Sequence, residues 1–129
     1  MAMRFGNNSD LPDCLIPVPL HARRLAERGF NQAHEIAISI SGILNITVLS
    51  KNAKRIITTR PQTELGAKQR KHNVRGAFAL SRPVTPEYQH IAIVDDVVTT
   101  SATVAELARL LKGAGVARVD VWACARAVL

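Results

Sequence analysis

At 129 residues and 47% hydrophobic content, the chain is long enough to build one domain around a single core. No apolar run reaches membrane-spanning length and the opening MAMRFGNNSDLPD lacks a signal-peptide core, so a cytoplasmic protein without membrane insertion is the expectation. The net charge of +7 is local: Lys51 to Arg75 holds eight of the 17 basic residues and one of the ten acids, Glu64, while the remainder balances. Such a run suits a solvated face, a diphosphate or a nucleic acid.

Residues 1 to 13 read as a disordered or vector-derived start and 14 to 129 as the domain. Cys14 and Cys124 form no C-x-x-C pair, which favours packing thiols over a disulfide or a metal site. Cys14-Leu15-Ile16-Pro17-Val18-Pro19 predicts a short strand that its prolines confine to a sheet edge or force out of the sheet at once. His21 to Arg28 follows as a polar loop, read either as a surface turn or as a loop at the carboxyl edge of the sheet. Asn31 is placed to cap a helix in which Ala33, Ile36, Ala37 and Ile40 recur at helical spacing, with Phe30 as a staple into the core. Thr47 to Leu49 suits a second strand and Ile56 to Thr58 a third.

Arg60 to Arg75 is a polar, basic connection containing Gln62, Lys68, Arg70, Lys71 and Asn73. Its lack of periodicity fits a functional lid or an exposed loop. His72 and His90 have no ligand partner at metal-binding spacing and read as surface or loop histidines. Trp122 reads as a core residue of a strand. Neither a Walker A pattern nor G-x-G-x-x-G is present, which disfavours P-loop hydrolysis and dinucleotide binding.

The most informative stretch is Ile91 to Thr103, I-A-I-V-D-D-V-V-T-T-S-A-T. Ile91 to Val94 suits a strand buried on both faces of a parallel sheet, which places Asp95 and Asp96 at its carboxyl end. Ligands of open α/β sheets bind there. Adjacent carboxylates can accept hydrogen bonds from a ribose diol or hold a hydrated Mg²⁺. Thr99, Thr100, Ser101, Ala102 and Thr103 are small enough for the backbone to wrap an anion at a helix N-terminus. Thr103 and Glu106 have capping-box spacing, and Val104, Leu107, Ala108 and Leu111 continue the helix to Gly113 or Gly115. Val119 to Ala123 reads as the next parallel strand.

These thirteen residues resemble the phosphoribosyl pyrophosphate (PRPP) signature of type I phosphoribosyltransferases. Together with P-V-P-L-H, R-G-F-N-Q-A, R-P-Q-T-x-L, R-x-x-N-V and G-A-F, they resemble the ComF family of competence-associated proteins from about Asp13 to Ala127. The family usually has Gly where Ser101 stands and often a second where Ala102 stands.

The resemblance implies a three-layer α/β fold, a mostly parallel twisted sheet flanked by helices. It implies that Asp95 and Asp96 face the ribose hydroxyls, with Mg²⁺ held indirectly, and that Thr99 to Thr103 cradle the 5′-phosphate. It implies diphosphate or lid contacts from His21, Arg28, Asn31, Gln62 and Arg70, with the basic loop closing over PRPP. An enzyme of this kind would displace pyrophosphate from C1 with a nitrogen nucleophile. The resemblance equally implies a role in DNA uptake beside helicase or recombination partners, in which the basic loop binds single-stranded DNA. A PRPP-responsive regulator is a third expectation, and an oligomer is compatible with all three. Relatives commonly carry a cysteine-rich, zinc-ribbon-like segment ahead of this domain; these residues hold none.

Overall fold

The sheet is built around one strand that is apolar on both faces. In the computed structural model, which describes residues 11–56, 76–98 and 102–126, this strand is β5, His90–Val98. It pairs in parallel with β1, Cys14–Pro17, on one side and with β6, Arg118–Arg126, on the other. β2, Thr47–Val48, joins the far side of β1, so the order is β2-β1-β5-β6. Strand alternation then sorts the core into two layers. Cys14, Ile16, Ile91 and Ile93 pack against Val104, Leu107 and Leu111 of helix α3, Ala102–Gly113. Leu15, Ala92 and Val94 pack against Ala37 and Ile40 of helix α2, Gln32–Leu44. The expected α/β architecture, a parallel sheet with helices on both faces, is observed.

Proline decides how β1 fits. The sheet-edge alternative fails, because β1 lies inside the sheet between β2 and β5. Leu15 C=O accepts from Leu49 N–H at 2.8 Å, and Val18 N–H donates to Val94 C=O at 2.8 Å. By alternation the position of Pro17 faces β2, which pairs no further than Leu15. The missing N–H therefore leaves no partner unmet, and the chain departs directly afterwards.

Several local expectations yield to tertiary packing. His21 to Arg28 is a helix rather than a loop: α1 spans Ala22–Arg28 and is ended by Gly29 at φ 80°, where glycine avoids the Cβ penalty. Phe30 is 47% exposed and staples nothing, although Asn31 caps α2 as expected. The third strand among the described residues, β3, is Ala53–Arg55, ahead of the expected Ile56 to Thr58, and pairs antiparallel with β4, Phe78–Leu80, in a separate two-stranded sheet. Ile56 lies just beyond it and is exposed; positions 57 and 58 lie outside the described residues. Buried Ala53 and Phe78 tie this ribbon to the α3 side of the core.

The helix after the acidic pair starts two residues earlier than a Thr103 cap requires, which puts Thr103 inside α3. Glu106 is buried and serves the tertiary structure instead, accepting from the Gly76 N–H at 3.1 Å and pairing with Arg109. α3 closes at Gly113, and Gly115 takes φ 103° in the turn to β6. Trp122 packs half-buried beside the α2-side core. Cys14 is buried, Cys124 is exposed, and neither forms a disulfide. No helix among the described residues is long and apolar enough to cross a membrane.

Candidate functional site

The acidic pair sits where the sheet narrows. β1 pairs with β5 as far as Pro17 opposite Val94, while β5 continues through Val98 beside β6 alone. The strand thus continues four residues past the apolar run, and Asp95 and Asp96 lie within it, just past the end of β1. This is still the carboxyl-edge crevice of a parallel sheet. Both residues are half-buried, and the Asp96 N–H donates to Asp95 Oδ1 at 2.9 Å.

Burial is the main reason that the Asp95 carboxyl is pushed up to about 7, and the neighbouring Asp96 carboxyl adds to it. The Asp96 N–H and the Arg55 guanidinium pull in the opposite direction. Near neutral pH Asp95 is divided between a form that donates a hydrogen bond and one that only accepts. A vicinal diol, whose hydroxyls both donate and accept, suits such a pair.

Ala102 and Thr103 form the first, half-buried turn of α3, which leaves the same edge of the sheet. Thr99, Thr100 and Ser101 lie outside the described residues, as do Gln62 and Arg70. Across the edge, the end of β1 leads to His21, whose Nδ1 accepts from the Arg23 N–H at 3.1 Å and caps α1. In the neutral ring this leaves the proton on Nε2. Asn31 Oδ1 accepts from Ala33 N–H at 3.1 Å, and its Nδ2 donates to Val18 C=O at 3.1 Å. One amide therefore caps α2 and ties it to the exit of β1. Arg28 is exposed in the last turn of α1.

Arg55, which sequence reasoning did not single out, belongs to this neighbourhood. A parallel bridge joins His21 to Arg55, and the guanidinium lies over the Phe78 ring, 5.4 Å from its centroid. Burial lowers its pKa, repulsion from Arg24 lowers it further, and attraction to Asp95 opposes both. Its membership of the basic run was the available signal. The partner that aims it, Phe78, comes 23 positions later in a ribbon with no tight-turn signature. Among the described residues no group of three or more His, Cys, Asp or Glu side chains could hold a metal ion. Two adjacent carboxylates still fit Mg²⁺, which keeps several waters and shares its shell with ligand phosphates.

His90, expected at the surface, is the first residue of β5, with a side chain only 14% exposed. Its Nε2 lies 2.8 Å from Asp120 Oδ2 at the opposite, amino edge of the sheet. His72 lies outside the described residues.

The chain is 42% identical to Competence protein F of Haemophilus influenzae over 119 residues, 91% of this chain and 52% of that protein. It is 44% identical to the DNA utilization protein YhgH of Escherichia coli K12 over 116 residues, 90% of this chain and 50% of that protein. Competence protein ComFC of Streptococcus pneumoniae is 24% identical over 111 residues, 86% of this chain and 47% of that protein. The chain spans about half the length of the curated relatives it matches. No family model and no solved structure matches it.

Proposed function

Because the chain belongs to the ComF family, we propose that it is a PRPP-binding, phosphoribosyltransferase-type domain working in competence or DNA utilization. The observation that carries the ligand is the half-buried Asp95–Asp96 pair at the carboxyl edge of a parallel sheet, with a small, hydroxyl-rich run leading into α3. In this reading the carboxylates receive the ribose 2′- and 3′-hydroxyls. Thr99 to Thr103 take the 5′-phosphate, and the N-terminus of α3 favours its charge. His21, Arg28, Asn31, Gln62 and Arg70 serve the diphosphate and the loop that covers it. Mg²⁺ arriving with the ligand supplies charge neutralisation for the diphosphate.

Turnover on this site would break the C1–O bond to pyrophosphate and form a C1–N bond to an acceptor. Asp95 and Asp96 would orient the sugar and stabilise positive charge developing on it. The test is calorimetric titration of PRPP with Mg²⁺ into the purified chain and into the Asp95→Asn/Asp96→Asn double variant. Binding that is lost in the double variant is the expected result; equal binding by both would move the ligand elsewhere, and no binding by either would remove it.

A second reading has its own support. The relatives named for competence and DNA utilization, together with exposed Lys51 and Lys54 at the start of the basic run, favour a nucleic-acid surface. Steeply salt-dependent binding of single-stranded DNA that survives loss of both aspartates would favour this reading.

A further inference from the structure

A sheet edge left open invites another strand, because its outward N–H and C=O groups have no partner. The two edges of the main sheet differ in this respect. β2 has two residues, too few to template a pairing. β6 has nine, Arg118–Arg126, and among the described residues no strand lies on its outer side. The Arg118 N–H donates to the Gln89 C=O at 2.9 Å, so by alternation Arg118, Asp120, Trp122 and Cys124 address β5. Val119, Val121 and Ala123 turn their backbone groups outward. Proline, lysine and bulges usually protect such an edge. β6 contains neither residue, and it pairs with β5 at one constant offset.

Its side chains suit a protein partner. Val121 is 43% exposed, and Trp122 is half-buried in the middle of the strand, with four residues on either side. Between Val119 and Cys124 the only acidic or basic side chain is Asp120, which His90 and Arg118 already hold. On a chain of net charge +7, a strip poor in charge and centred on an aromatic has the composition of a protein interface, not of a nucleic-acid surface.

The strand is also complementary to itself. About a two-fold axis through Trp122, an antiparallel second copy sets Val121 opposite Ala123, large against small, with their N–H and C=O groups facing. Asp120 then falls opposite Cys124, and Trp122 opposite Trp122 of the second copy, both in the closer, non-hydrogen-bonded positions. Aromatic pairs across strands are stabilising. A nine-residue strand is about 30 Å long, and a strip of that length about 15 Å wide removes roughly 900 Å² over both copies. That lies just under the range of permanent interfaces and fits a dimer in exchange with monomer.

We propose that β6 is a dimer interface, at which two copies join antiparallel, edge to edge about Trp122, and extend each four-stranded sheet into the other. The inference depends on neither ligand reading. The second copy's amino edge then adjoins the carboxyl edge of the first, and covers the strand that flanks Asp95 and Asp96.

Sedimentation equilibrium of the purified chain between about 5 and 500 µM, at physiological salt, tests this. A monomer–dimer equilibrium is the expected result. Val121→Lys places a charge on the strip, and Val121→Pro removes an outward N–H that β5 does not use. Each should weaken the dimer about tenfold or more, with thermal melts checking that both variants fold. Asp120→Cys reports the register. With a mild oxidant its thiol should form a disulfide with native Cys124 of the second copy, because the two Cα atoms lie about 4.5 Å apart in that pairing. Within one strand the same positions are about 13 Å apart and cannot bond. Val119→Cys, which faces the other side of the sheet, should not cross-link. A chain that stays monomeric through this range overturns the proposal. So does a dimer that keeps its strength in both Val121 variants, an Asp120→Cys dimer that fails to cross-link, or an open series of larger species.

Discussion

The two ends of β5 handle charge in opposite ways. At the amino edge opposite groups meet. Asp13 accepts from the N–H groups of Gln89 and His90, at 2.9 Å each, while Asp120 lies between His90 and Arg118. Burial would raise the pKa of Asp120, but hydrogen bonds from His90 and Arg118, and their charge, outweigh it and hold the carboxyl below its ordinary value. At the carboxyl edge like groups meet, Asp95 beside Asp96. There burial and a neighbouring acid hold Asp95 above its ordinary value. One edge closes the sheet and gains stability. The other holds a half-buried carboxyl whose charged form is disfavoured, which is the usual signature of a binding edge.

The largest effect that would sharpen this contrast belongs to Asp95. Its folded-state pKa, about 7, exceeds the unfolded value, so the folded protein binds the extra proton between the two and stability falls as pH rises through that window. Asp95→Asn should abolish this slope and stabilise the chain above pH 7 by something on the order of 2 kcal/mol, after discounting for partial exposure. Chemical denaturation between pH 5 and 8.5, on the ~3.9 to ~7 side and beyond it, reads both. A wild-type curve that rises with pH across that range would break the comparison.

Asp13→Ala should show the reverse sign. It strips the acceptor from two N–H groups at the start of β5 and should cost about 1 kcal/mol, since both groups can turn to water. Hydrogen exchange of the Gln89 and His90 amides should accelerate in step. An unchanged midpoint and unchanged exchange would mean that the clamp is decorative.

The smallest effect is expected at Asp120. A carboxyl with a depressed pKa contributes stability above its unfolded value and loses it as pH falls through the folded one. Asp120→Asn should therefore cost under about 1 kcal/mol at neutral pH, because the pair with exposed Arg118 is screened. The difference from wild type should shrink in acid. A difference that grew below about pH 4 would contradict the assignment.

Much of the fold was legible because it depends on neighbours in the chain. Ala33, Ala37 and Ile40 declared one face of α2, Val104, Leu107 and Leu111 one face of α3, and all six are buried. The run Ile91 to Val94 declared a strand covered on both sides, and all four residues are buried. The acidic pair was legible for the same reason, since it follows that run directly. Arg55 was not, because its place depends on Phe78 and His21, neither of which is near it in sequence. Glu106 was misread as half of a capping box because the spacing is local, whereas its real acceptor duty is to Gly76, 30 residues away.

By itself, then, the order of residues determined that α2, α3 and the central strand form, though not α1, and that two carboxylates follow the apolar run of that strand, since periodicity and adjacency act over a few residues. Only the tertiary structure decided that a proline-ended strand lies inside the sheet, that Phe30 stays outside the core, and that Arg55 and Asp95 belong to one neighbourhood. Strand order, burial and the meeting of charges are set by contacts between distant segments, and no local pattern encodes those.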